Sequence, residues 1–179
     1  MGACAFHCLE GKDIYFKSLK IEDAQEIHAY TSDQEVSKFI GWPLMNTLDE
    51  TREHIATMLK RESAGTHFYA SIALKSNQII IGTAMIFNID RIANHAEIGY
   101  VLHKKYWGKG YGTESVALIS AFAFEALNLH KLCASVVDAN IGSARILEKN
   151  GYELEGRLKD HYFLEKKYYN ALLFGKIKA

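Results

Sequence analysis

The sequence predicts one domain of mixed α/β structure (α+β). Its central twisted sheet of about seven strands is mixed but mostly antiparallel, and helices cover both faces. Alternating apolar runs fill residues 68–102 and are separated by short polar turns, which is typical of an antiparallel meander. A long apolar helical pattern then connects two short apolar runs, and a strand–helix–strand connection of this length makes its strands parallel neighbours. Two further strand patterns follow, at residues 155–163 and 168–174.

Length and composition limit the class of protein. The 179 residues suit a single domain with one core, and we expect that domain to span residues 13–179 after an N-terminal tail at residues 1–12. Lys and Arg together number 21, as do Asp and Glu, and the formal net charge of +0 lacks the usual signature of a general nucleic-acid-binding protein. We therefore expect no nucleic acid as a direct partner. No apolar run reaches the length of a membrane span, so we expect no membrane as a partner either.

The cysteines indicate a reducing compartment, because Cys4, Cys8 and Cys133 are few and odd in number. Cys133 lies in an apolar run and is expected to be a small buried side chain. Cys4 and Cys8 could bind a metal together with His7, but no second pair of ligands completes such a site, so we expect no metal. Residues 1–6 lack the basic region and apolar core of a signal peptide, and a cytoplasmic location is the simplest expectation.

The first elements come before the meander. Residues 14–19 are predicted as a strand, and residues 21–30 as a helix with one apolar face. The helical region extends through residues 36–40. It ends at Pro43, which favours extended backbone at Trp42.

A second helix is predicted to begin after Thr47, which has Glu50 at the spacing of a capping box, and to end near Arg61. The meander that follows alternates apolar and polar residues, as strands with one buried face do. Its predicted strands are residues 68–74, 79–88 and 95–102.

The crossover helix is predicted over residues 113–127, because its apolar stripe is wide enough to cover a sheet face. A buried strand follows at residues 132–137. A short helix comes next, with Asn140 as its N-cap and Gly151 just beyond its C-terminus.

The stretch between residue 102 and the crossover helix carries glycines at alternate positions, 108, 110 and 112. Glycine lets backbone N–H groups approach a phosphate, and a helix start adds unpaired N–H groups and the positive end of its dipole. Lys109 adds positive charge to this loop. The G-x-G-x-G spacing fits neither a Walker loop nor the dinucleotide fingerprint, which counts against a nucleotide site. A tight turn that binds nothing stays open as an alternative.

Residues 106–114, which read Y-W-G-K-G-Y-G-T-E, resemble the pyrophosphate loop of the GNAT family of acetyl-CoA-dependent N-acetyltransferases, and in particular its RimJ/RimL-like branch. The family pattern [QR]-x-x-G-x-[GA] fits from Gly110 onward, whereas Trp107 stands where the family commonly has Gln or Arg. The segment from Asn140 to Tyr152 resembles the family's N-x-x-S-x-x-[IVL]-[LY]-E-K-x-G-[FY] pattern. The resemblance covers about residues 12–178.

The resemblance implies the GNAT fold, in which one parallel pair of strands is splayed around acetyl-CoA. It implies acetyl-CoA as the cofactor and CoA as the product. By the same resemblance, the residues that bind the coenzyme are Tyr100, Val101, Leu102, Trp107, Gly108, Lys109, Gly110, Tyr111, Gly112, Thr113, Asn140, Ser143 and Arg145.

The resemblance also implies direct transfer, in which an unprotonated amine attacks the thioester. A bulge within Tyr100–Leu102 is expected to aim a backbone N–H at the thioester carbonyl, with an ordinary strand as the alternative. Glu97 is the leading base, directly or through water. Alternatively, the Glu97 carboxylate is merely solvated, and water removes the proton.

The departing sulfur needs a different group from the one that many GNAT enzymes use. Their tyrosine position is Leu147 here, and the RimJ/RimL-like pattern places Ser143 near the sulfur instead. Ser143 as a simple helix-start residue stays open. Asn140 would bind the pantetheine arm, cap the helix, or do both.

The acceptor side is expected to include Trp42, Glu97, His161 and Tyr162, although Trp42 could equally be a loop residue packed on the core. The implied partner is a protein N-terminus, as on ribosomal proteins, or a small amine such as a polyamine, aminoglycoside or amino acid. A non-catalytic acyl-CoA sensor is the competing function, because the usual tyrosine is missing. Monomers and homodimers both occur in the family.

Overall fold

The computed structural model describes residues 5–178 and forms one seven-stranded mixed sheet within them. All neighbouring strands run antiparallel except one parallel pair, β4 and β5, as the sequence predicted. The order across the sheet is β1-β2-β3-β4-β5-β7-β6. The strands are β1 (Ile14–Lys17), β2 (Phe68–Leu74), β3 (Ile80–Asp90), β4 (His95–Leu102), β5 (Lys131–Val137), β6 (Glu153–Leu164) and β7 (Lys167–Ile177).

Helices cover both faces of this sheet. The α-helices of the described residues are α1 (Ala24–Thr31), α2 (Gln34–Ser37), α3 (Leu48–Ser63), α4 (Tyr111–Glu125) and α5 (Ile141–Lys149). Because side chains alternate along a strand, Val101 packs in the core under α1 and α3, whereas its neighbour Leu102 packs in the core under α4. Strand β4 therefore presents one set of side chains to each helical layer.

The helix ends follow their predicted caps. Thr47 and Glu50 form both hydrogen bonds of a capping box at the start of α3. The side chain of Asn140 accepts a hydrogen bond from the Ser143 N–H at the start of α5. Helix α4 begins at Tyr111, two residues before the predicted start, because Gly110 adopts the left-handed conformation and serves as its N-cap.

The region predicted as a tail contributes to the core. A 3₁₀ turn at Phe6–Cys8 places Phe6, which is 2% exposed, against Phe16 at a ring-centroid distance of 5.4 Å. Residues 5–12 are therefore packed on the domain rather than loose. One isolated phenylalanine leaves no periodic pattern, which explains why the sequence did not predict this contact.

The cysteine predictions have mixed outcomes. Cys133 is half-buried rather than buried, because Leu132 and Ala134 on either side of it face the α4 core and direct it to the opposite face of β5. Cys4 lies outside the described residues, so the predicted absence of a metal at Cys4 and Cys8 stays a prediction. No described helix has the length and apolar character needed to cross a membrane.

Candidate active site

The site lies where the parallel strands part. Strands β4 and β5 pair at His95 with Lys131, at Ala96 with Leu132 and at Glu97 with Cys133, and no pairing follows toward the carboxyl end of β4. The gap opens beside the remaining residues of β4, up to Leu102. A split between parallel strands is a usual place for ligands in sheets of this type. Two cavities meet at it.

Backbone groups of β4 are directed into this gap. The His103 N–H donates to the Ile81 carbonyl across 2.8 Å, and peptide groups in an antiparallel ladder point alternately to either side. Tyr100 and Leu102 consequently direct their peptide groups away from β3 and toward the gap. The predicted bulge within Tyr100–Leu102 is wrong, because the ladder with β3 continues without a register shift from Phe87–Glu97 to Gly82–Leu102. The departure of β5 frees the peptide groups that a bulge was expected to expose.

The glycine loop forms a cradle at the start of α4. Gly108 and Gly110 have φ values of +73° and +91°, and no heavy atom would lie within 4 Å of a Cβ added at either position. The Glu114 N–H donates to the Gly110 carbonyl, so the N–H groups of residues 111–113 have no helical carbonyl to bond. Open space beside unpaired N–H groups fits a pyrophosphate.

Gly112 has a different role from its neighbours. A Cβ there would lie 2.7 Å from Cδ1 of Ile146 and 3.4 Å from Cε2 of Tyr100. Gly112 therefore allows close packing of α4 against α5 and β4. An added Cβ would project into open space only at the first two glycines of the loop.

The larger cavity, of about 650 Å³, extends from the gap along the glycine loop and α5. Most of the predicted coenzyme residues line it: Tyr100, Val101, Leu102, Trp107, Gly108, Gly110, Tyr111, Gly112, Thr113, Asn140, Ser143 and Arg145. Lys109 does not line this cavity, and its ammonium group lies over the Tyr106 ring at 5.3 Å. Trp107 donates from Nε1 to the Leu102 carbonyl across 2.8 Å and so holds the loop against β4.

Lys149 also lines this cavity, although the sequence resemblance did not include it among the coenzyme-binding residues. It follows Arg145 by four residues on α5, which places the two cations on one helix face. The four-residue spacing of these two cations in the sequence could have indicated that Lys149 faces the same ligand as Arg145. With Arg145, it provides positive charge suited to the phosphates of a coenzyme.

The smaller cavity, of about 470 Å³, opens on the other side of β4. Glu97 lines it and accepts a hydrogen bond from the Asn88 side chain. Its walls are largely aromatic and apolar, and they include Phe39, Ile40, Trp42, His67, Tyr69, Met85, Phe87, Val101, Val136, Tyr162 and Leu164. The predicted residues Trp42, Glu97 and Tyr162 therefore share one cavity.

The Trp42 wall rests on a half-buried histidine. The rings of Trp42 and His54 meet edge to face at a centroid distance of 4.5 Å. Burial lowers the pKa of His54 to about 4, with a smaller contribution from the Arg61 charge. His54 is thus neutral at physiological pH.

His161 is not brought to the site. It is exposed on β6 and lines neither cavity. The hydroxyl oxygens of its neighbour Tyr162 and of Ser135 are 2.7 Å apart. Adjacent residues of a strand face opposite sides of the sheet, and Tyr162 is the one of the two that lines the smaller cavity.

Ser143 lies at the junction of the two cavities, together with Tyr100 and Asn140. The Tyr100 phenol donates a hydrogen bond to Oγ of Ser143 across 3.3 Å. Burial raises the pKa of Tyr100. Leu147, at the position where many relatives carry tyrosine, is 1% exposed and has no polar group to offer.

Comparisons with known proteins agree with this geometry. A family model described as "Acetyltransferase (GNAT) domain" matches residues 13–153. The "Probable N-acetyltransferase YjcK" of Bacillus subtilis is 36% identical over 153 residues, which cover 83% of this chain and 84% of that protein. The spermidine N(1)-acetyltransferase of Escherichia coli is 31% identical over 91 residues, or 51% of this chain and 49% of the enzyme.

Solved structures share the fold. The complex of RimL, named as a ribosomal L7/L12 alpha-N-protein acetyltransferase, with coenzyme A superposes with a TM-score of 0.85 at 17% identity and covers 95% of this chain and 97% of its own. The microcin C7 self-immunity acetyltransferase MccE, in complex with acetyl-CoA and AMP, has a TM-score of 0.83 at 19% identity and covers 94% of each chain.

Proposed function

Because the chain belongs to the GNAT family of acetyltransferases and is an acetyl-CoA-dependent N-acetyltransferase of the RimJ/RimL-like type, we propose that it transfers the acetyl group directly to a primary amine that enters the smaller cavity. One observation carries this proposal. Glu97 and Ser143 approach the gap beside β4 from opposite sides, one through the smaller cavity and one at its junction with the larger. A thioester in the gap would have a carboxylate on its amine side and a hydroxyl on its sulfur side.

Proton removal from the amine is assigned to Glu97. An amine enters as an ammonium ion at neutral pH, and it must lose a proton before its nitrogen attacks the carbonyl carbon. The Glu97 carboxylate accepts that proton directly or through one water. Its hydrogen bond from Asn88 orients the carboxylate without neutralising it.

The oxyanion is assigned to the backbone of Tyr100. Its N–H is directed into the gap, because the ladder to β3 uses the alternate residues of β4. A fixed N–H donor stabilises the negative oxygen of the tetrahedral intermediate more than that of the ground-state carbonyl.

The leaving sulfur is assigned to Ser143, with Tyr100 as a positioning residue. Since Ser143 Oγ accepts from the Tyr100 phenol, the serine's own hydrogen is available to the sulfur. The raised pKa of Tyr100 keeps its phenol protonated and donating at physiological pH. The C–N bond forms first and gives the tetrahedral intermediate, whose nitrogen then loses its second proton to solvent. As the intermediate collapses, the C–S bond breaks and CoA leaves as a thiolate that takes a proton from solvent, while Glu97 returns its own proton to solvent.

The coenzyme is assigned to the larger cavity. Its pyrophosphate would accept hydrogen bonds from the N–H groups of residues 111–113 beside Gly108 and Gly110. Arg145 and Lys149 would supply cations to the same ligand. Asn140 caps α5 with its side-chain oxygen and leaves its amide NH₂ for the pantetheine arm.

The acceptor is proposed to be a protein N-terminus or a small primary amine. One relative is named for spermidine and one structural neighbour for the α-amine of a ribosomal protein, and each of these acceptors carries a primary amino group. We propose a monomer or homodimer in the cytoplasm.

The first test is a thermal-shift comparison with acetyl-CoA, CoA, ATP and NAD. A ligand at about 100 times its Kd adds roughly 2.7 kcal/mol, or several degrees for a domain of this size. We expect shifts with the two CoA species alone, followed by CoA release when amines are added. A larger shift with ATP or NAD would overturn the assignment. Binding of acetyl-CoA without transfer to any amine would instead indicate an acyl-CoA sensor.

A further inference from the structure

The fully charged side chains that line the smaller cavity are Glu97 and Arg61, among the described residues. Arg61 lies in the last turn of α3, where its charge is favourable to the helix dipole, and its side chain is exposed. Within residues 5–178 it forms no ion pair, unlike Arg52 of the same helix, which contacts Asp49 at 2.7 Å. The cavity therefore contains one carboxylate and one guanidinium that has no protein counter-charge.

A row of aromatic rings separates these charges. Phe87 is the direct register partner of Glu97, so their side chains lie on the same face of the sheet. The His67 ring is nearly parallel to that of Phe87 at 6.3 Å and to that of Tyr69 at 5.5 Å. Arg61 lines the same cavity at the His67 end of this row, because its carbonyl accepts a hydrogen bond from the N–H of Thr66, the residue before His67. Burial lowers the pKa of His67, and the Arg61 charge lowers it further. The order across the cavity is carboxylate, aromatic rings, guanidinium.

We propose that the preferred acceptor is a primary amine that carries an anionic group several bonds away, with an apolar segment between the two. The ammonium end would meet Glu97, the segment would lie along the rings, and the anion would pair with Arg61. This inference rests on the proposed function and narrows its acceptor. A polyamine is disfavoured, because its second ammonium group would face a guanidinium. An α-amino acid is disfavoured too, since its carboxylate lies too near its amine to reach past the rings.

Two kinds of molecule carry a primary amine and a distant anionic group: a small ω-amino acid, and a peptide whose N-terminal residues include an acidic side chain. Conjugates that join CoA through an S-acetamido arm to an amine separate binding from turnover. The test set joins CoA to hexylamine, 6-aminohexanoate and 1,6-diaminohexane, so that tails of similar length end in neutral, negative or positive groups. A peptide pair uses the N-termini of Ala-Glu-amide and Ala-Gln-amide.

Titration calorimetry of the conjugates gives the deciding numbers. In the wild-type protein we expect the 6-aminohexanoate conjugate to bind about fivefold more tightly than the hexylamine conjugate, the range of one partly exposed ion pair. The diaminohexane conjugate should bind most weakly. A preference for the Ala-Glu conjugate over the Ala-Gln conjugate, larger than that of 6-aminohexanoate over hexylamine, would identify the peptide source.

Arg61→Met should abolish the preference for the negative tail, and Arg61→Glu should reverse it. Arg52→Met is the matched control, since it removes an exposed arginine of α3 outside the cavity, and it should keep the wild-type order. Equal binding of the three tails by the wild-type protein, or an unchanged preference in Arg61→Met, overturns the inference. If CoA binds and amines are acetylated in that case, the proposed function stands. If neither CoA nor any conjugate binds, the proposed function fails and the inference falls with it.

Discussion

The phenol of Tyr100 on β4 donates a hydrogen bond to Oγ of Ser143 on α5 across 3.3 Å. This contact joins the strand that borders the gap to the helix that provides the hydroxyl. We propose that it compensates for Leu147, which is buried and apolar at the position where the family resemblance implies a tyrosine in many GNAT enzymes. In the proposed mechanism, the phenol fixes the direction in which the serine hydrogen points.

Removing either hydroxyl should slow turnover. Ser143→Ala deletes the group that contacts the sulfur, and we expect kcat to fall about tenfold or more with little change in acetyl-CoA affinity. Tyr100→Phe keeps the ring and should lower kcat by about three- to tenfold, as loss of one orienting hydrogen bond does. Steady-state kinetics at saturating acetyl-CoA measures both.

The double variant separates positioning from packing. If Tyr100 acts through Ser143, adding Tyr100→Phe to Ser143→Ala should cost little further activity. Independent, multiplying effects would remove Tyr100 from this role. An unchanged kcat in Ser143→Ala would remove Ser143 from the mechanism.

Glu97→Gln tests the proton acceptor at nearly constant shape. The amide cannot take a proton from the incoming ammonium, so we expect kcat/KM to fall about tenfold or more at neutral pH. Raising the pH supplies unprotonated amine from solution and should reduce the difference in kcat/KM between the variant and the wild-type enzyme. A pH–rate profile of the two proteins checks this, and parallel profiles would assign proton removal to water alone.

Much of the fold was predictable because local patterns agreed with the final topology. The apolar crossover from β4 through α4 to β5 predicted the parallel pair, and the capping residues Thr47 and Asn140 predicted where α3 and α5 begin. These signals lie within a few residues of the structures that they specify.

The remaining features depend on contacts between distant residues. Arg61 enters the same cavity as Glu97 only when α3 packs over the sheet, and Phe6 joins the core only through its contact with Phe16. The free peptide groups of β4 were expected from a bulge in that strand, whereas they result from the departure of β5. No local pattern encodes such placements.

Gly110→Ala tests the phosphate cradle against a matched control. A Cβ at Gly110 would project into open space at the start of α4, where the pyrophosphate is proposed to lie. We expect CoA affinity to fall about tenfold or more, because the methyl group would occupy the anion's place. Gly65 also has a positive φ, of +70°, with nothing within 4 Å of an added Cβ, and lies outside both cavities.

Gly65→Ala should therefore cost similar backbone strain, about 1 kcal/mol, and leave CoA affinity unchanged. Calorimetric titration with CoA compares the two variants with wild type. Equal affinities in all three proteins would show that the pyrophosphate lies elsewhere.

His54 should make stability depend on pH. Its pKa in the folded protein is about 4, against an ordinary value of 6.5, so the unfolded chain binds more protons between those values. Stability contributed by the neutral ring is thus fully present above about pH 6.5 and is lost as the pH falls toward 4. Because the ring is partly exposed, we expect a loss of about 1 to 2 kcal/mol.

His54→Met should flatten this part of the profile, because it keeps an apolar side chain beneath Trp42 and removes the titrating group. The exposed His130 provides the control, and His130→Met should keep the wild-type slope. Urea unfolding of the three proteins between pH 4 and pH 7 gives the measurement. If His54→Met loses stability as steeply as wild type on acidification, the neutral His54 ring does not set this dependence, and other groups with lowered pKa values, such as His67 and His103, would account for it.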